Sequence, residues 1–157
     1  MFKPLKIPIK PLNIGAKKIA VVLSRYHERV AQSLLQACLS TLKENHVAAE
    51  NVDVYTVTGA YEIPWMVKWV LKGQEYVGAI TLGCVIRGET PHFDYICQAV
   101  SWGCMQVGLA VDRPVAFGVL TVDTEAQALV RSSDDEHNKG RETALALIET
   151  LGVMGSQ

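Results

Sequence analysis

Six consecutive residues, Arg87-Gly88-Glu89-Thr90-Pro91-His92, combine a cation, a glycine, a hydroxyl, a proline and an imidazole where an apolar run gives way to a helical period. A loop between a strand and a helix N-terminus exposes unpaired N–H groups and the positive end of the helix dipole. Gly88 lets the backbone approach a ligand closely and Thr90 adds a hydroxyl donor, so the loop is suited to phosphate. One glycine at such a junction is more often a simple capped turn. His92 falls in the first helical turn, where the dipole disfavours a positive ring and leaves it free to accept or relay a proton. A lone histidine there usually caps or packs.

Other candidates are scattered. Arg131 closes a short helix, where it either complements the dipole or grips a phosphate with two prongs. Lys139 opens a helix, an end that does not favour a cation, which points towards a ligand. Glu62 lies near a helix start and suits either the dipole or ligand hydroxyls. Tyr26 occupies a loop after a strand, where a planar ligand can stack on it. There is no GxGxxG, no GxxxxGK[ST] and no GxSxG, so the dinucleotide, P-loop and nucleophile-elbow readings are excluded. His46 and His137 lack metal-ligand spacing, and no metal site is expected.

The elements that must position these residues alternate along the chain. Lys18 to Leu23 is an apolar run of the kind expected in a parallel strand covered on both faces. A helical stripe follows through Val30, Leu34, Leu35, Cys38, Leu39 and Leu42. Residues 52–57 read as a strand, and Pro64 lies in the first turn of a helix that Lys72-Gly73 ends, with Gly73 as the C′ residue. Residues 77–86 read as the third strand, 91–111 as a helix, and 114–122 as the fourth strand. Thr124 to Gln127 reads as a capping box before a helix ending at Arg131. The last helix spans 138–151, with Gly152 beyond it.

Repeated β-α units with short connections imply a three-layer α/β sandwich on a four-stranded parallel, flavodoxin-like sheet. Ligands bind beyond the carboxyl ends of such strands, which singles out the loops 24–28, 58–62, 87–92 and 121–124. Residues 1–17, with prolines at 4, 8 and 11, read as an extended N-terminal arm, either disordered or paired with a neighbouring subunit.

Composition sets the class. At 157 residues, 49% hydrophobic and 20% charged, the chain suits one globular domain over 1–157. A net charge of −1 without long runs of one sign argues against nucleic acid and polybasic membrane contacts. No apolar stretch has the length of a bilayer span, and no signal-peptide pattern opens the chain, so a cytoplasmic protein is expected. The four cysteines at 38, 84, 97 and 104 read as free thiols, mostly buried.

Taken in order, Gly59-Ala60-Tyr61-Glu62-Ile63-Pro64, the run Gly83 to Tyr95, Phe117 to Thr121, and Asn138-Lys139-Gly140 closely resemble lumazine synthases. The resemblance extends from about Ile19 to Leu151, and the 83–95 run is its most specific part. It implies condensation of 5-amino-6-(D-ribitylamino)uracil with 3,4-dihydroxy-2-butanone 4-phosphate to 6,7-dimethyl-8-ribityllumazine, without cofactor or metal. It also implies a stack of Tyr26 on the pyrimidine, contacts to it from Ala60, Tyr61, Glu62, Cys84, Val85 and Ile86, and proton transfer by His92. Gly88, Glu89, Thr90 and Arg131 would hold the phosphate. Phe117, Arg131 and Lys139 would come from the adjacent subunit of a homopentamer or a multiple of it. Riboflavin synthase is a partner that the resemblance allows.

The chain departs from the usual family pattern at Thr58, where proline is common, at His27, where asparagine is common, and in the acidic segment 132–137. Two other classes fit a similar sheet: a non-catalytic oligomeric scaffold that binds flavin or lumazine, and a flavin mononucleotide carrier. The carrier would want small hydroxyl residues in the first loop, which reads Ser24-Arg25-Tyr26-His27.

Overall fold

The computed structural model describes residue 5 and residues 11–155. The larger part of the expected arm, including Pro4 and Pro8, lies outside the described residues. Four strands, β1 (Lys18–Ser24), β2 (Val52–Val57), β3 (Tyr76–Ile86) and β4 (Val115–Val122), form one sheet in the order β2-β1-β3-β4. Every pairing is parallel, so all the strand carboxyl ends lie on one edge. The helices are α1 (Glu28–Glu44), α2 (Ile63–Val70), α3 (His92–Val111), α4 (Glu125–Arg131) and α5 (Lys139–Met154).

Side-chain alternation on β1 explains the layering. Ile19, Val21 and Leu23 point into one core with α1, α4 and α5. Ala20 and Val22 point into a second core with α2 and α3. The apolar run that gave no two-residue period is thus buried on both faces, as parallel strands must be.

Glycines set the closest approaches. A Cβ at Gly140 would overlap the carbonyl of Leu34, so α5 lies directly against the backbone of α1. A Cβ at Gly83 would collide with Ser24 Oγ, which fixes β3 beside the end of β1. Edge strand β2 is held by a polar ladder. Lys18 Nζ donates to Asp53 Oδ2 at 2.9 Å, Tyr76 Oη donates to the same oxygen at 2.7 Å, and the Tyr55 and Tyr76 hydroxyls meet at 2.6 Å. The Tyr76 hydroxyl, followed by the Lys18 ammonium, holds the Asp53 carboxyl below its usual range.

Three expected boundaries shift. Helix α2 stops at Val70, and Gly73 serves a following turn through its N–H to Val70 O, with no left-handed cap. Helix α5 runs through Gly152 to Met154. The capping box before α4 is half formed. Thr124 Oγ1 accepts from Gln127 N at 3.2 Å, but the Gln127 side chain accepts from Asp123 N, one residue early.

Gly140→Ala should destabilise the protein by about 1–3 kcal/mol, because α1 and α5 must part to admit the methyl group. The check is a lower urea midpoint at unchanged slope, at matched protein concentration.

Candidate functional site

Three of the four strand-end loops converge on one cleft of about 780 Å³. Tyr26 and His27 come from the loop after β1, Thr58 to Glu62 from the loop after β2, and Cys84, Val85 and Ile86 from the end of β3. His92, the first residue of α3, closes the cleft with Tyr95 and Ile96.

Each side chain has a local reason for its place. Tyr26 is 62% exposed, with its ring edge against Gly59, where a Cβ would come within 3.2 Å of Tyr26 Cε2. Glu62 is anchored by the Gly59 N–H, which donates to Oε2 at 2.8 Å. That contact caps the helix start, a role beyond the dipole complement expected of Glu62, and among the described residues the second carboxylate oxygen has no partner. His27 holds φ 59° and ψ 61°, the left-handed region that asparagine and histidine enter more readily than most residues. That backbone accommodates the histidine present here as readily as the asparagine expected from the resemblance. Thr58 Oγ1 accepts a hydrogen bond from Arg25 at 3.3 Å.

The 87–92 loop has the free donors its sequence suggested. Among the described residues, the N–H groups of Gly88, Glu89 and Thr90 have no acceptor within the chain. Thr90 Oγ1 accepts weakly from His92 N at 3.4 Å, and the His92 ring makes no hydrogen bond among the described residues. A Cβ at Gly88 would meet nothing within 4 Å, so packing does not demand this glycine. Open space over three free donors is what an incoming anion needs.

Arg87 behaves differently from its loop. Its Nε donates to Asp123 at 2.9 Å, its terminal nitrogens pair with Asp94 at 3.1 and 3.2 Å, and its guanidinium lies 4.2 Å from the Phe93 ring centroid. The Asp94 carboxylate, then that of Asp123, raises its pKa further. This arginine ties the ends of β3 and β4 to the start of α3, and two carboxylates already occupy it. Sequence reasoning missed that role. The only available signal was acidic residues on two neighbouring elements.

The remaining expected residues are elsewhere. Phe117, Arg131 and Lys139 line a second cavity of about 410 Å³ between β4, α4 and α5, together with Glu142 and Thr143. The two cavities share no lining residue. The first has no lysine or arginine in its lining, and the second has no histidine. Among the described residues Arg131 bonds only to Gln127 O, at 3.1 Å, whereas Lys139 Nζ meets Glu142 Oε2 at 2.5 Å.

All four cysteines are free. Burial pushes the Cys84 thiol, in the cleft wall, up to about 11. Among the described residues, no group of three or more metal-ligating side chains is present, and no helix is long and apolar enough to cross a membrane.

Among the described residues, open donors and an unbonded imidazole thus stand together at the carboxyl edge of the parallel sheet of a flavodoxin-like α/β protein. Residues 16–155 match the family model described as 6,7-dimethyl-8-ribityllumazine synthase, and the chain belongs to that family. Membership makes it a transferase-type enzyme of riboflavin biosynthesis that acts on small molecules.

A thiol-alkylating reagent at pH 7.5 should leave Cys84 unmodified in the native protein and label it after unfolding, since on the order of one thiol in a few thousand is then ionised. Peptide mass mapping reads the outcome. Native labelling as fast as that of a free cysteine would show a reactive thiol in the cleft.

Proposed function

We propose that the protein condenses 5-amino-6-(D-ribitylamino)uracil with 3,4-dihydroxy-2-butanone 4-phosphate to give 6,7-dimethyl-8-ribityllumazine, with loss of water and phosphate. The observation that carries this reading is the family match over 16–155, with its most specific run, 83–95, lying at the edge of the cleft. The pyrimidine lies on Tyr26, with Ala60, Tyr61, Glu62, Cys84, Val85 and Ile86 around its ring and ribityl chain. Gly88, Glu89 and Thr90 hold the phosphate through their free donors, and Arg131 adds two charge-assisted bonds.

The amine of the pyrimidine attacks the ketone carbonyl, and loss of water gives an imine. Phosphate then leaves by elimination, the resulting enol becomes a carbonyl, and the ribityl-bearing nitrogen closes the ring on it with loss of a second water. Because the substrate supplies the nucleophile, the protein needs no serine or cysteine of its own. Its tasks are to orient two reactants, move protons and stabilise the leaving phosphate. On this reading His92, the first residue of α3 beside the phosphate loop, moves the protons.

The division of residues between two cavities supports a site shared between subunits. His92 and the phosphate loop belong to one copy, and Phe117, Arg131 and Lys139 come from the next copy of a pentamer. In a ring, each interface joins two unlike faces, so the cavities of neighbouring copies can meet at every junction.

The direct test mixes both substrates with the protein and follows lumazine fluorescence. Product formation supports the reading, and binding of the pyrimidine without turnover would indicate a scaffold. His92→Ala should slow turnover by roughly a hundredfold, the low end for loss of a general acid–base. Arg131→Ala assemblies should be nearly inactive as well. Refolding the two variants together in equal amounts should restore activity to about a quarter of wild type, because each face of a junction is intact half the time. No recovery in assemblies that native mass spectrometry shows to be mixed would place each site within one chain.

A further inference from the structure

The second cavity holds three charged groups that are not equivalent. Lys139 is the first residue of α5, where its charge opposes the helix dipole, and it precedes its acidic partner, the weaker order for a helical pair. Helix energetics therefore do not account for a lysine here. Its backbone is nevertheless fixed. Asn138 is 1% exposed, caps the helix through Gly140 N at 2.8 Å, and donates to Ser133 O at 2.9 Å. Thr143 Oγ1 donates to Lys139 O at 2.5 Å, and Gly140 is wedged against Leu34. From this anchored start the side chain reaches Glu142 at 2.5 Å, and both line the cavity with Arg131. Arg131 has no carboxylate partner among the described residues and bonds to one carbonyl.

We infer that Glu142 is a positioning residue that cancels the charge of Lys139, leaving Arg131 as the one net cation this surface offers to the phosphate. The Lys139–Glu142 pair presents a donor and an acceptor side by side. Such a pair suits an uncharged group bearing hydroxyls or a carbonyl, and an anion gains little from it. The inference rests on the reading that Arg131 receives the phosphate, and it adds a separate task for its neighbours. Without Glu142 the surface would carry two adjacent cations and would retain the phosphate that each turnover releases.

Titration of the assembled protein with inorganic phosphate at low, fixed ionic strength, followed by ³¹P NMR, tests this. Arg131→Ala should lose binding. Glu142→Gln, which is nearly isosteric, should bind phosphate about two- to fivefold more tightly, the scale set by one partly exposed charge. Lys139→Gln should weaken binding by about the same factor, since it leaves the Glu142 carboxylate unmatched. The double variant Lys139→Gln/Glu142→Gln should return to within about twofold of wild type, because the pair contributes no net charge. The double variant should also raise KM for the pyrimidine amine while leaving KM for the phosphorylated ketone near its original value.

A double variant as weak as Lys139→Gln would show that Lys139 itself grips phosphate and would overturn the inference. Glu142→Gln that binds no more tightly than wild type overturns it too, as does absence of phosphate binding throughout. If the wild type makes no fluorescent lumazine, the substrate reading fails, while the phosphate titrations still decide the pairing.

Discussion

A four-stranded parallel sheet leaves no face for water, and the rest of this structure depends on that restriction. Parallel neighbours need a return connection over one face, and the helices making those returns must cover both sides. Here α1, α4 and α5 take one side and α2 and α3 the other. The cost is that the inner strands β1 and β3 must be apolar along most of their length, while edge strand β2 keeps the half-buried Asp53 and the exposed Thr56. The consequence is that all four strands stop at the same edge, where the chain emerges to begin its helices. Apart from the ladder around Asp53 and the buried Thr81, polar residues gather at that edge, so the sheet's need for cover also gathers the chemistry.

The glycines of the 83–95 run show how packing and ligand requirements are interleaved. Gly83 and Gly88 look equivalent in sequence. Gly83 is required by a neighbour, because a methyl group there would strike Ser24 Oγ. A methyl group at Gly88 would meet nothing within 4 Å, and among the described residues the N–H groups beside it have no acceptor. Arg87 lies between them and belongs to neither task. It fastens the strand ends to α3 through Asp94 and Asp123, which holds the open loop in shape without placing a cation in it.

Features set by local chemistry were legible in the sequence. Continuous apolar runs marked β1 and β3, a 3.6-residue stripe marked α1, and Pro64 marked the start of α2. Where alternatives were locally close, the boundaries moved. Gly73 was open to a helix cap or a turn and took the turn, while Gly152 was absorbed into α5 because Leu151 and its predecessors pack on the sheet and carry the helix onward. The site was legible in part. The residues of the cleft occur in strand-end loops, which the topology rule identifies. Arg87 was missed because its role lies in partners on other elements that folding brings within reach, whereas Glu142, one helical turn from Lys139, was open to local reasoning and was passed over. Asp123 is 36 residues from Arg87, and the separation of Phe117, Arg131 and Lys139 from His92 depends on the order of strands in the sheet.

That order bears on why a second copy enters the proposed reaction. Strand β4 is at one edge of the sheet and β2 at the other, with β1 and β3 between them. The cleft forms over β1, β2 and β3, and the cavity with Arg131 forms beside β4, so on the proposed reading one chain carries both halves of a site without superposing them. The half with an imidazole lacks a lining cation, and the half with Arg131 lacks a lining histidine. Phosphate departure needs both at once, a proton mover near the imine and a positive charge at the leaving group. On the proposed reading, adding subunits around a ring supplies the missing half at each junction. Assembly then acts as part of the mechanism, since a free chain would hold the pyrimidine beside its own phosphate loop and His92 but would leave Arg131 on a different surface.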